Sequence, residues 1–378
     1  MAMYALGVVV APVIGPTLGG YLTDHISWRW AFYINIPIGL IAVLMQSRFL
    51  EDPPFIKKAK PGRLDATGLG FLALFLGALQ YVCDKGQEDD WFGSILIRWM
   101  AITCIVGFVA WIIRERMAKS PLVDLSLFRD RNFAVGCLLV GLFGACIYGV
   151  TTILPLFYQT LLGYDATSAG MAVAPRGIGA MFSSVAVGIL VSRVDSRKLI
   201  ALGFVVFGLT SFWTSNITLQ LGPFSLFWPI LISGTALGLI FVPLSGTALG
   251  TLPPTKLGSG AALFNLIRNV GGSIGISAVN TIAQRRFQNH RGELVSRLGG
   301  TSLAVQRSIA GVTAAMQRHV GPRLAMQRAF LSLQITLDGQ AQLLAYMDDF
   351  RYMALLCGGC VLVVLLLKRT KASAEPEG

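Results

Sequence analysis

The residues best able to do chemistry here are a few ionisable side chains stranded in apolar segments. Arg268 lies about ten residues into one such segment, and Asn265, Arg268, Asn269 and Gly272 fall at i, i+3, i+4 and i+7, on one helix face. Ionisable groups inside a membrane are costly and point to function by default. An arginine on such a stripe can form a polar cavity wall or pair with a carboxylate, and it can equally clamp two helices by hydrogen bonds. Arg176, just after Pro175, lies nearer the middle of its segment than the end. It can pair with a carboxylate or snorkel. Asp24, Asp65, Asp84, Asp165 and Asp349 sit at the ends of expected segments, where helix capping or interface solvation accounts for them. Asp24, beside His25, is the one to test for proton coupling. No acidic residue is expected at mid-membrane, so an obvious proton carrier is lacking. Gln80, Tyr148, Phe157, Tyr158, Gln159, Phe264 and Asn280 are candidates to line a cavity, with helix packing the alternative for each.

Other chemistries find no support. His25, His290 and His319 form no metal-ligand spacing, and H-E-x-x-H, P-loop, G-x-S-x-G and dinucleotide patterns are absent from the sequence. No enzyme, metal site or organic cofactor is expected. The net charge of +12 comes without an aromatic-interleaved basic patch, so nucleic acid is not an expected partner. Cys357-Gly-Gly-Cys360 matches C-x-x-C but lies in an apolar run, where cysteine serves packing.

The elements that must position these groups are membrane helices. Of 378 residues, 54% are hydrophobic and 13% are charged, against about 25% charged in soluble proteins. With about 20 apolar residues per span, the length predicts about ten spans. They fall near 3–22, 33–50, 66–83, 94–113, 133–156, 168–191, 199–215, 224–249, 258–282 and 343–367. Basic residues cluster in alternate connections: Lys57, Lys58 and Arg63; Arg114, Arg116 and Arg129; Arg193, Arg197 and Lys198; Lys256; Lys368. The positive-inside rule then puts both termini in the cytoplasm. Residues 283–342 break the charge pattern with eight arginines spread along an outer segment. The stripe Val305, Ile309, Val312 and Met316, then Gly321-Pro322, predicts two helices there, either lying over the outer mouth or forming a docking surface.

The first span carries small residues on a four-residue step: Gly7, Ala11, Gly15 and Gly19, with Pro16 and Gly20 alongside. Such a stripe lets a neighbouring backbone approach closely. Gly15-Pro16-Thr17-Leu18-Gly19-Gly20 resembles the antiporter motif of proton-coupled exporters in the major facilitator superfamily, with Ala11 where a Gly is usual. Asp24, Trp28-Arg29-Trp30 and Asn35-Ile36-Pro37 extend the likeness to the 14-span drug:proton antiporters of the EmrB/QacA type. So do Asp65-Ala66-Thr67-Gly68, Asp90-Trp91-Phe92, Pro121-Leu122-Val123-Asp124 and Asn265-Leu266-Ile267-Arg268-Asn269. Gly188, Arg193, Arg197 and Lys198 resemble a degenerate cytoplasmic-loop motif, in which Ser192 and Asp195 depart from the usual Asp and Gly.

The resemblance implies an all-α, polytopic, partial major facilitator fold that starts at the family's fifth helix. Residues 1–50 would be the remnant of an N-terminal bundle, and 51–132 a cytoplasmic linker with two extra helices. Residues 133–367 would form the C-terminal six-helix bundle with the outer loop 283–342, and 368–378 a tail. It further implies inner-membrane efflux of amphipathic drugs driven by a proton gradient, impaired in a chain without the first four helices. Partners would be lipids, amphipathic substrates, a periplasmic adaptor and an outer-membrane channel. A specific metabolite transporter and a non-transporting membrane protein are the alternatives.

Overall fold

A computed structural model describes residues 15–49, 65–118, 123–220, 225–298, 303–317 and 321–368. Gly7, Ala11, residues 50–64 and the tail beyond Lys368 lie outside them. The described residues are helical, with short 3-10 turns and no strand. Lipid offers the backbone no hydrogen-bond partners, so an apolar span must satisfy its own N–H and C=O groups.

The helices are α1 (15–25), α2 (Trp30–Tyr33), α3 (Asn35–Phe49), α4 (Ala66–Lys85) and α5 (Ile95–Met117). Then come α6 (Arg131–Thr160), α7 (Ala166–Leu190), α8 (Ser196–Thr214), α9 (Phe227–Leu249), α10 (Leu257–Leu298), α11 (Leu303–Gln317) and α12 (Pro322–Val364). Eight stretches among the described residues are long and apolar enough to cross a membrane, α2 and α3 counting together as one. The two further expected spans differ for separate reasons. Most of 3–22 lies outside the described residues. The final stretch carries Asp348, Asp349 and Arg351 within one continuous helix that begins at Pro322. The 283–342 segment is largely helix: α10 runs on to Leu298, and α11 and the first half of α12 fill most of the rest.

Helices α6–α10 and α12 share one apolar core, in which Phe133, Phe143, Phe157, Phe204, Phe207 and Phe264 are almost wholly buried. Helix α7 packs on α9, α6 on α10, and α12 on α6, α8 and α10; α4 and α5 pair with each other at the edge, touching α10. The tightest seams are made of small residues. A methyl group added to Gly271 would meet the backbone of Gly141, and one on Gly275 would meet Ala145. On the other seam, Gly179 faces the Leu231 backbone, Gly234 faces the Arg176 backbone, and Gly238 faces Ser183. Lipid tails are as apolar as leucine, so helix association in a membrane rests on such close packing.

Polar locks close both ends of the bundle. At one end Arg131 donates to the Leu366 carbonyl at 2.9 Å and Arg197 to the Leu367 carbonyl at 3.2 Å. Asn132 accepts from the Lys368 N–H at 2.8 Å. These groups satisfy carbonyls that the end of α12 would otherwise leave open. At the same end Asp65 caps α4 through the Gly68 N–H at 3.1 Å and takes three hydrogen bonds from Arg114 of α5. The guanidinium holds the Asp65 carboxyl well below the usual carboxylate range. At the opposite end α10 and α12 project together past the core. Arg291–Asp338 at 2.6 Å and His290–Asp348 at 2.9 Å bridge them.

Gly271→Leu is expected to destabilise the bundle by at least the 1–3 kcal/mol (roughly) of an overpacked core. Gly358→Leu, where nothing lies within 4 Å, should be tolerated. Melting of both variants in lipid nanodiscs checks this, and equal melting would remove the seam from its central place.

Candidate functional site

One cavity of about 320 Å³ opens between α1, α6, α7, α9 and α10. Two of the helices around it carry an internal proline, Pro175 in α7 and Pro243 in α9, each of which removes a backbone donor. The wall is apolar, with Phe143, Ile147, Val173, Leu237 and Phe241, and α1 contributes Pro16.

Two arginines reach into this wall. Arg176 of α7 is only 5% exposed. Its Nη1 donates to Thr151 Oγ1 of α6 at 2.9 Å, and its guanidinium lies 5.6 Å from the Phe207 ring centroid on α8. Its Nε and Nη2 have no partner among the described residues. Arg268 of α10 stacks over Phe241 of α9, 5.4 Å from the ring centroid, and its buried Nε is likewise unpartnered. Cation–π contact offsets part of the cost of burying such a charge. It does not satisfy the N–H donors, and a buried unmet donor costs about 1–3 kcal/mol. No Asp or Glu is among the cavity's lining residues. The site is therefore an apolar pocket bordered by two arginines whose N–H groups are only partly paired among the described residues, and such donors suit a carboxylate or another anionic group.

Of the residues singled out by sequence, Arg176, Arg268, Tyr148 and Pro16 meet at this cavity. Others lie elsewhere. Phe157, Tyr158 and Phe264 are buried in the helix core, where Phe157 packs edge-on to Tyr346. Gln159 and Asn280 are exposed. Gln80 faces outward from α4 and bridges Asp84 and Ser273. Asn265 spends its amide on the Ala261 carbonyl at 2.9 Å, and Asn269 is exposed. The polar stripe is thus split, because the small residues of α10 turn toward α6 and only Arg268 is long enough to reach the cavity. Of the loop-motif residues, Arg197 is tied to Asp195 and the end of α12. Gly188, Arg193 and Lys198 are exposed. Thr151 and Phe241 were not foreseen. An alternating pattern cannot tell which face of a wholly apolar helix turns inward.

The small stripe of α1 also resolves into two faces. Gly15 and Gly19 have open space beside them, whereas a side chain on Gly20 would strike the Ala166 backbone and one on Gly170 would strike Pro16. The working contact is therefore the Pro16–Gly20 edge laid on the start of α7. Asp24 closes it by accepting from the Thr167 N–H at 2.7 Å and its hydroxyl at 2.6 Å. Those two bonds hold the Asp24 carboxyl below its ordinary value.

Comparison with known proteins bears on this arrangement. The sequence model of a family described as "Major Facilitator Superfamily" matches residues 1–276. The chain is 36% identical over 297 residues to "Multidrug export protein EmrB" of Escherichia coli (strain K12), which covers 78% of this chain and 57% of that protein. It is 35% identical over 311 residues to "Fatty acid resistance protein FarB" of Neisseria gonorrhoeae, covering 82% and 61%. "Multidrug resistance protein 3" of Bacillus subtilis (strain 168) is 29% identical over 293 residues, covering 78% and 57%. The chain thus spans little more than half the length of these curated relatives.

The Asp24 contact should be pH-dependent in a definite direction. A carboxylate with a lowered folded value stabilises at neutral pH and loses that contribution as pH falls below the ordinary carboxylate range. Spin labels at Tyr21 and Met171 should give one narrow distance at neutral pH. The distribution should broaden in strong acid, and at all pH in Asp24→Ala. An unchanged distribution in Asp24→Ala would mean that the glycine seam alone holds α1.

Proposed function

The chain belongs to the major facilitator superfamily, and from that premise we propose that it works in proton-coupled efflux of amphipathic compounds carrying an anionic head. The single observation behind the substrate class is the cavity with two arginines and no acid. Its apolar wall suits a hydrophobic body, and the free donors of Arg176 and the Nε of Arg268 suit a carboxylate or similar group. The printed names of the relatives, multidrug export for one and fatty acid resistance for another, agree with such a substrate.

The mechanism is alternating access in a cell's inner membrane. The distribution of Lys and Arg orients the chain with both ends in the cytoplasm, so the Asp24–Thr167 contact and the α10–α12 extension lie outside. On this reading the Pro16–Gly20 edge laid on α7 would be part of the outer closure. A substrate entering from the inner side would meet Tyr148 and the two arginines. The α10–α12 extension is the part that would meet a periplasmic adaptor leading to an outer-membrane channel.

Arg176→Gln and Arg268→Gln test the substrate class. A hydrogen bond to a charged group contributes about 1.5–3 kcal/mol, which corresponds to roughly 10–100-fold in affinity. Equilibrium binding of a radiolabelled fatty acid to the protein in nanodiscs should weaken by about that factor. Binding of a quaternary ammonium of similar size should not weaken. Equal losses for both ligands, or none for the acid, would sink the anionic reading.

A further inference from the structure

Asp349 was expected at a helix end, but it lies inside α12, fifteen residues or about 22 Å of helix from Val364. It is 0% exposed, and neither carboxyl oxygen has a hydrogen-bond partner among the described residues. Its neighbour Asp348 is treated in the opposite way. Asp348 pairs with Arg286 at 3.5 Å, His290 at 2.9 Å and Arg351 at 3.3 Å. The nearby cations are therefore already engaged, and Arg286 also donates to the Tyr352 hydroxyl. On α10, Arg291 is paired with Asp338, and Arg285, Glu293 and Arg297 are the other charged residues of its projecting half; the remaining helices packed on α12 bring little more. On α6 the only charged residue is Arg131, and on α8 they are Arg197 and Lys198, all at the far end. On α11 the only described one is Arg307. An ionised carboxylate buried without a partner is so costly that the group takes up a proton instead.

We propose that Asp349 is a protonation site of the outer gate: its carboxyl takes a proton from outside water as the outer ends of α10 and α12 close over it. One O–H bond forms on the carboxylate, the proton comes from hydronium, and a water molecule is released. On opening, the proton returns to outside water. A shallow groove lined by Arg285, Arg286, Asn289 and Tyr352 opens beside the Arg286–Asp348 pair and brings water to within one side chain of the cluster. Closure is thereby favoured by outside acidity, which makes one conformational step sensitive to the pH of the outer side. The gating rests on the alternating-access reading above; the protonation itself does not.

The experiment is infrared spectroscopy of the protein in lipid, in a Glu115→Gln background, since Glu115 also has an unpartnered buried oxygen. A protonated-carboxyl band worth one group per chain is expected at neutral pH. It should vanish in Asp349→Asn and persist in Asp348→Asn. Absence of the band, or its survival in Asp349→Asn, overturns the proposal. Should Asp349→Asn not fold, the parent protein decides. The band should bleach as pH rises and the melting temperature should fall with it, because a group protonated only in the folded state loses its contribution as pH increases. A band and melting temperature that ignore pH overturn the proposal. Spin labels on the outer ends of α10 and α12 test the gate. Their distance should respond to pH in the parent and remain short at every pH in Asp349→Asn. A pH response that survives the substitution refutes the gating even where the infrared result holds, and a loss of transport alone would bear only on the function proposed above.

Discussion

The contact on which most of this structure depends is the backbone seam between α7 and α9. In water, two helices associate by burying leucine. In lipid that gain is absent, and what remains is dispersion between surfaces that fit. Gly234 sets the fit, because the carbonyl of Arg176 occupies the space a Cβ would need. The same contact therefore brings two backbones together and positions the guanidinium. Moving α9 outward by the width of a methyl group would open the space behind the Arg176 backbone. The α6–α10 seam repeats the logic, since Gly144 faces the Arg268 carbonyl. Both cavity arginines thus stand where a neighbouring glycine lets the main chain come closest.

That placement explains how charges survive in an apolar bundle. At the bundle ends, arginines find carbonyls or carboxylates: Arg131, Arg197, Arg114, Arg286 and Arg291 all have partners. In the middle, Arg176 and Arg268 have aromatic faces and, for Arg176, one hydroxyl. Rings can lower the cost of burial without saturating the donors, which leaves binding capacity in place. A fully hydrogen-bonded arginine would be a better stabiliser and a poorer receptor.

Much of the architecture was legible in the amino-acid order. Apolar length gave the central spans, and the small-residue step in α1 pointed to a close helix contact. Arg176 and Arg268 stood out because each interrupts an apolar run. What was not legible has two physical causes. First, a helix apolar on all sides carries no record of which face turns inward, so Phe157 and Phe264 could not be told from Tyr148. The α1 stripe misled in the same way: Gly15 and Gly19 are as small as Gly20, yet only Gly20 is pressed on α7. Second, a hydropathy edge is not a helix edge. The apolar run near 343 suggested that Asp349 ends a span, whereas the helix had begun at Pro322 and carried the residue into the packed interior.

Two carboxylates at one end of the bundle, Asp24 and Asp349, show how environment divides one chemistry into two roles. Asp24 is exposed and accepts two short hydrogen bonds from Thr167. Both favour the ionised form, so this residue acts as a fixed anion that holds α1 to α7. Asp349 has the same side chain with the reverse surroundings: no solvent, no donor, and a neighbour that has already claimed Arg286 and His290. Only the neutral form is cheap there. In the proposed gate, closing this end therefore asks one acid to stay charged and the other to become neutral. These demands conflict only if pH falls far enough to protonate both, and the hydrogen bonds on Asp24 move that limit to lower pH. On the proposed reading, the same end of the bundle is held shut by the first residue and takes up its proton at the second.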